Sequence, residues 1–408
     1  MSLTDWGTLA ADRLARIARC SEPGPGVTRL PFTPEHRTAL AEITDWMDAA
    51  GLTPTLDAAG TLVGRREGTG PGTFYMGSHQ DSVRHGGGFD GIMGVALACL
   101  AIQKLTEDGT TLPFAVEVLA FADEEGVRFP TALIGPRALA GTFDPAVLDL
   151  TDRGGVSLRA AMEGFGLNPV AISALARDPA GAVGYLEAHI EQGPVLEQSA
   201  EPLGIVTAIC GIERHAVTFH GQTGHAGTLP MRARADALVG AADLITLAHH
   251  LGREEAELRV TVGQLDIAPN VVNAVPNEAR LTLEIRSPSD DQREAAGQLL
   301  THRAREIADK WSLDLEMRRT YLQRAQPCDV TMRAGLVDAV MAGGGAGVEL
   351  ASGATHDASA MSDLCPIAML FLRCRDGVSH VPEEHAAPED MGRAVEAMAH
   401  FLAHYQVT

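Results

Sequence analysis

Apolar residues recur at helical spacing over Thr8–Ala18 and again over Pro34–Ala50, with Thr33 ahead of Pro34 as the cap of the second helix. Short apolar runs at Leu62–Gly64 and Thr73–Met76 read as strands. A turn-rich loop follows, GSHQDSVRHGGGFDG over 77–91, and then an apolar helix from Ile92 to Thr106. The run Phe114–Ala120 reads as a buried strand that ends on the polar tetrad Asp123, Glu124, Glu125, Gly126. Strand, polar loop, helix, strand, polar loop is how a doubly wound α/β domain presents a site at the carboxyl ends of its strands.

A second pattern begins near Gly211. Arg214–His220 alternates, a glycine-rich turn leads to a helix over Arg232–Leu251, and a strand is expected at Leu258–Gly263. Arg280–Arg286 alternates strictly, a long helix covers Asp290–Lys310, and a last strand is expected at Leu313–Arg318. That order, β-α-β-β-α-β, is the split βαβ arrangement of a small ferredoxin-like domain. From about Ala325 the first pattern resumes. The expected architecture is therefore α/β, with a discontinuous mixed-sheet domain over 1–211 and 325–408 and an inserted α+β domain over 212–324. Hinges are expected where the chain crosses, near Cys210–Glu213 and Tyr321–Gln326.

Composition narrows the class. The chain has 408 residues, 45% hydrophobic and 21% charged, enough to bury a core without disulfide or metal staples. Lys+Arg 32 against Asp+Glu 53 gives a net charge of −21, which repels phosphate backbones and speaks against nucleic acid as a partner. No stretch approaches the roughly 20 apolar residues of a membrane span, and the N-terminus lacks a signal-peptide build. Six scattered cysteines without a CxxC pair read as reduced thiols, so a cytoplasmic location is expected.

The chemistry concentrates in a few places. His79 and Asp90, an imidazole and a carboxylate 11 residues apart in a glycine-dense loop, can converge on one ion; alone they read equally as a turn. Asp81, two residues after His79, is placed to support the ring's other nitrogen. The tetrad at 123–126 puts Glu124 and Glu125 side by side at a strand end, so one can bind metal while its neighbour handles protons, or both can face solvent. His189, in YLEAHIEQGPVLE, and His380, in SHVPEE, prove nothing singly. Together His79, Asp90, Glu125, His189 and His380 offer five N and O ligands and no sulfur, a set suited to two ions such as Zn²⁺, Mn²⁺ or Co²⁺ with one carboxylate bridging.

Seven motifs in order, GSHQDSVRHGGGFDGIMGV, FADEEGVRF, LEAHIEQGPVLE, GHAGTLPMRARADAL, PNVVNAVPNEARLTLEIR, SGATHDA and DGVSHVPEE, resemble the hydantoinase/carbamoylase family of metal-dependent amidases. That family holds N-carbamoyl-L-amino acid hydrolases and allantoate amidohydrolases and belongs to the aminoacylase and carboxypeptidase clan. The resemblance implies a di-metal hydrolase domain with an inserted lid and dimerisation domain, and two divalent ions per subunit. It implies His79, Asp90 and His189 on one ion, and Asp90, Glu125 and His380 on the other. It makes Glu124 the general base and places Gln192 and His356 near the substrate. It puts Asn273 and Arg286 on the substrate's carboxylate, and has His225 reach the partner's active site in a homodimer to steady an oxyanion.

The implied reaction is hydrolysis of an N-carbamoyl-L-amino acid to the amino acid, ammonia and carbon dioxide. Allantoate or another ureido acid, and aminoacylase or dipeptidase chemistry, share the same residues. A non-catalytic binding protein on the same fold is the reading of another class; such a protein would be expected to have lost a ligand or the base. Two positions depart from the family pattern: Thr355 stands where glycine precedes the histidine of SGAGHDA, and Thr61 where asparagine is common. His385 rivals His380, but only His380 fits the clan's H-x-P-x-E spacing. His249, His250, His400 and His404 fall on helical segments.

Overall fold

Strands buried on both faces read as continuous apolar runs rather than alternating ones, and the segment Ala115–Phe121 is buried at every position. A computed structural model of the chain describes residues 1–407. Its strands are β1 (Thr53–Leu56), β2 (Leu62–Arg66), β3 (Thr73–His79), β4 (Ala115–Phe121), β5 (Ala182–Ile190), β6 (Leu203–Ile209), β7 (Gly211–His220), β8 (Arg259–Thr261), β9 (Leu265–Ala268), β10 (Glu278–Ser287), β11 (Asp314–Gln323), β12 (Gln326–Pro327), β13 (Val348–Ser352) and β14 (Ile367–Leu372). The helices are α1 (Leu3–Ile17), α2 (Pro34–Ala49), α3 (Ile92–Glu107), α4 (Ile134–Ala140), α5 (Leu158–Gly164), α6 (Val195–Gln198), α7 (Ala237–Glu254), α8 (Asp290–Trp311), α9 (Val330–Ala342), α10 (Asp357–Met361) and α11 (Pro388–His404).

The chain divides into two compact units. The first holds residues 1–207, 328–350 and 356–408; the second holds 208–327 together with 351–355. The short piece 351–355 lies within the span assigned from the sequence to the first domain, and it joins the second because Cys210 N–H donates to Ser352 O and Arg286 reaches Gly353 O.

In the first unit the sheet runs β1-β2-β4-β3-β5-β14-β6, with β13 paired to β6. Its centre is parallel: β3 pairs with β4 and β5, and β14 pairs with β5. Parallel centre strands end on the same side, so His79 at the end of β3, the tetrad just past β4 and His189 near the end of β5 share one edge. Helix α3 is apolar nearly all round and lies buried, packed against α11 and the sheet. All six cysteines are buried and unbridged. No described helix is long and apolar enough to cross a membrane.

The second unit has strand order β11-β7-β10-β8, with β9 also on β10 and every pairing antiparallel. With α7 and α8 between the strands, this is the order of a split βαβ sheet. Along β10 the odd residues Ala279, Leu281, Leu283, Ile285 and Ser287 are buried under the helices, and the even ones form an open polar face. The helix expected from Arg232 starts only at Ala237, because the Asp236 side chain accepts the backbone N–H groups of Leu238 and Val239 and caps it there. The strand expected over Leu313–Arg318 continues to Gln323 along β7. Strand β9 falls between Leu258–Gly263 and Arg280–Arg286, where the sequence pattern marks no strand; its residues are exposed or half-exposed and show no alternation.

Candidate metal centre

The loop after β3 doubles back to deliver Asp90. At its end Gly91, with φ 64°, caps α3 so closely under His79 that an added Cβ would collide with the imidazole ring. His79 Nδ1 lies 3.1 Å from the backbone carbonyl of Asp81, and His189 Nδ1 lies 2.9 Å from that of Ile190. A carbonyl can only accept, so both Nδ1 atoms carry the proton and both Nε2 lone pairs point into the site. Asp81 thus supports His79 chiefly through its main chain, with its carboxylate Oδ1 at 3.4 Å. That carboxylate mainly accepts the backbone N–H groups of Glu124 (3.1 Å) and Glu125 (3.2 Å), and so sets the tetrad.

Six side chains converge. His79, Asp90 and His189 form one group whose ligand atoms all lie within 4.8 Å of one another. Asp90, Glu125 and His380 form a second, and His79, Glu124 and Glu125 a third. Asp90 belongs to the first two. His189 Nε2 stands 3.1 Å from Asp90 Oδ1, and His380 Nε2 3.1 Å from Asp90 Oδ2. His79 Nε2 is 4.0 Å from both Asp90 Oδ1 and Glu124 Oε2.

These contacts test whether a cation fits. With its proton on Nδ1, His189 turns a lone pair toward a carboxylate lone pair at 3.1 Å. Only a proton or a cation between them makes that approach favourable. Asp90 Oδ2 and Glu125 Oε1 are buried and accept no hydrogen bond. The donor set of nitrogen and carboxylate oxygen suits borderline divalent ions. The residues fit the group.

Electrostatics point the same way. Burial opposes charge on Asp90, yet His189 and His380 within hydrogen-bond reach, with His79 nearby, hold it well below the usual carboxylate range. Burial pushes Glu125 up to about 7, with Asp90 adding repulsion. Burial raises Glu124 well above the ordinary range; His79 offsets part of this, while Glu125, Asp357 and Asp81 add to it. His380 rises to about 9 on its contact with Asp90. Asp90, Glu124 and Glu125 gathered with imidazoles beside them, and with neither lysine nor arginine in the cluster, suit a site for positive ions.

Gln192 and His380 both adopt left-handed backbone, at φ 56° and 61°. Gln192 Nε2 donates to Asp90 Oδ1 (3.4 Å) and Ser379 Oγ (3.1 Å) and lies 3.3 Å from His380 Nε2. His356 is buried with its ring 4.5 Å from that of His189, edge to face, and burial beside His189 keeps it neutral. Thr355 before it is not among the residues with positive φ, so its side chain imposes no left-handed strain on the loop. His385 stays outside the cluster, edge-on to Phe89 at 5.5 Å. Thr61 is fully buried and its hydroxyl has no partner.

Three expected site residues belong to the second unit. His225 is exposed, bridges to Ala274, and accepts the Gly227 N–H on Nδ1 at 3.1 Å. The carbonyl of Asn273 accepts the N–H of Ala226, which holds the two loops together. Arg286 lies on the open face of β10 and donates from Nε to Glu284 and from Nη1 to Gly353 O.

Sequence reasoning missed Ser379, Glu187 and Asp357, and gave Asp123 no role beyond its place in the tetrad. Glu187 lies two residues before His189, hence on the same face of β5, and accepts from Ser78 Oγ (2.7 Å) and Ala358 N (2.9 Å). That spacing was the available signal. Asp123 and Asp357 are wholly buried, and burial with repulsion from other acids pushes both well above the carboxylate range.

Residues 70–404 match the model of Peptidase family M20/M25/M40. The chain is 39% identical over 383 residues to an N-carbamoyl-L-amino acid amidohydrolase of Geobacillus stearothermophilus, covering 93% of each chain. It is 35% identical to an allantoate deiminase of Arabidopsis thaliana, over 96% of this chain and 81% of that one. A crystal structure of a hydantoinase/carbamoylase-family amidase from Burkholderia multivorans superposes with a TM-score of 0.91 at 30% identity, over 97% of each chain.

Proposed function

Since the chain belongs to Peptidase family M20/M25/M40, we propose that it is a metal-dependent amidohydrolase that converts an N-carbamoyl-L-amino acid to the amino acid, ammonia and carbon dioxide. The observation that carries this reading is the convergence of His79, Asp90, Glu125, His189 and His380, with Glu124 beside them, in a chain 39% identical to a protein named for that activity.

In this reading His79, Asp90 and His189 hold one divalent ion, and Asp90, Glu125 and His380 hold a second; Zn²⁺, Mn²⁺ and Co²⁺ suit the donors. The chemistry such ions supply when bound is Lewis acidity, which lowers the pKa of water and polarises a carbonyl. Glu124 accepts the proton of the attacking water at its carboxylate and passes it to the nitrogen that leaves as the first C–N bond breaks; the carbamic acid left behind then loses carbon dioxide, its own proton going to the second nitrogen. Gln192, held by Asp90 and Ser379, orients the ureido group. Asn273 and Arg286 bind the substrate's carboxylate, for which the planar fork of arginine is suited. His225 donates to the developing oxyanion, and we assign it to the neighbouring subunit of a homodimer.

Allantoate is the second reading, favoured by relatives named allantoate deiminase at 34–35% identity. It needs the same ions and the same carboxylate grip.

Ammonia and amino acid release decide between them. The metal-loaded chain is assayed with N-carbamoyl-L-amino acids, their D-isomers, allantoate, N-acetyl amino acids and dipeptides. Turnover of the L-carbamoyl compounds above the rest is expected. Preference for allantoate moves the assignment to the second reading. Amino acid release without ammonia overturns both in favour of aminoacylase or dipeptidase chemistry.

A further inference from the structure

The open face of the second unit's sheet carries a row of charged side chains around Arg286, running across the strands rather than along them. Glu284 precedes Arg286 by two residues on β10, so the two share the polar face. Its Oε1 accepts from Arg286 Nε at 2.7 Å, and its Oε2 accepts from Arg214 Nε at 2.5 Å. Arg214 lies directly opposite Glu284 in the β7–β10 register. Tyr321 lies opposite Arg214 on β11, and the Arg214 guanidinium stands over its ring at 5.0 Å. On its other side Arg286 donates from Nη1 to Gly353 O at 2.6 Å.

Two anchors on opposite sides fix the plane of a side chain that otherwise samples many rotamers. Nη2 of Arg286 makes no hydrogen bond to the described residues and is left for a ligand. Charge arithmetic agrees: two arginines and one glutamate leave one net positive charge, the complement of one carboxylate.

We propose that Glu284 is the positioning residue of the substrate-carboxylate clamp: it aims Arg286, and is itself held by Arg214 braced on Tyr321. The proposal rests on the reading of Arg286 as that clamp. Glu284 touches no reacting atom; its effect is on how the substrate's acid end is held, and so on affinity and stereochemical choice rather than on bond cleavage.

The test is steady-state kinetics of the metal-loaded full chain with three variants. The substrates are an N-carbamoyl-L-amino acid, its D-isomer and the N-carbamoyl amine that lacks the carboxylate. Glu284→Ala is expected to raise KM for the L-acid about tenfold, leave kcat within about threefold, narrow the L-over-D preference, and leave the neutral amine unaffected. Glu284→Gln keeps the shape and one acceptor, guards against a folding failure, and is expected to fall between wild type and Ala. If Gln is as damaging as Ala, the charge and not the aim is what matters, and the positioning role is overturned. An unchanged KM in Glu284→Ala, or an equal loss on the neutral amine, overturns it as well. Arg286→Ala separates the layers: a KM rise there with none in Glu284→Ala sinks only the positioning role, whereas no effect of Arg286→Ala sinks the clamp and the proposal together.

Discussion

Oε1 of Glu384 accepts the backbone N–H of Asp90 at 2.9 Å across 294 positions of sequence. The same oxygen takes the N–H of Phe89 at 3.0 Å, and Oε2 takes Ser379 Oγ at 2.8 Å. One buried carboxylate therefore fixes the main chain of the carboxylate shared by the two candidate ion sites, and the hydroxyl that holds Gln192. Glu384→Ala would leave the buried Asp90 N–H and the half-buried Phe89 N–H unpaired and free the loop. Removing such outer support lowers metal affinity 10–100-fold in other sites. A chelator competition titration should show a drop of about that size, and unchanged affinity would mean the hydrogen bonds do not position Asp90.

Gly91 makes a second prediction. A side chain there combines φ 64° with a collision against the His79 ring. Gly91→Ala should cost about 2 kcal/mol or more of stability and displace the imidazole from its ion. Thermal melts with and without added Zn²⁺ check it: the variant should melt lower and gain less from metal than wild type. Equal metal stabilisation in the two proteins would contradict the account.

His36, which is not among the six converging side chains, offers a pH prediction. Its Nδ1 accepts the Phe32 N–H at 2.9 Å, so Nε2 carries the proton, and the Gln80 carboxamide at 2.6 Å can accept it only with its oxygen turned toward the ring. Burial, helped by Arg29 and Arg37, depresses its pKa to about 3 from 6.5. The unfolded chain therefore binds this proton more readily. The stability contribution is present above pH 6.5 and is lost as pH falls toward 3. Between pH 7 and pH 5 the loss is about 2 kcal/mol. In urea titrations the stability gap between wild type and His36→Gln should shrink by that amount over this interval; a constant gap would refute the assignment.

Much of the cluster was legible beforehand because its candidate ligands sit at strand ends, and strand ends can be read from period and turn residues. His79 closes β3, His189 lies next to the last residue of β5, and the tetrad follows β4. The resemblance to hydantoinase/carbamoylase amidases, read from seven ordered motifs, agrees with relatives and solved structures matching nearly the whole chain. What stayed hidden depends on long-range contact. Nothing local marks Glu284 as the partner of both Arg214 and Arg286, or Ser379 as the link between Gln192 and Glu384. Strand β9 escaped because exposed residues on a partly covered edge need not alternate. Residues 351–355 escaped because their unit is set by hydrogen bonds to Cys210 and Arg286, not by neighbours in sequence.

The central claim is that Glu124 moves the proton at a centre held by the other five side chains. The most direct test is kcat of Glu124→Gln, measured together with its bound metal. Glutamine keeps the shape of Glu124 and removes a repulsion with Glu125. The account predicts an unchanged metal content and a kcat lowered by about 10²–10⁴. Activity above a tenth of wild type with full metal content, or a loss that merely tracks lost metal, would contradict it.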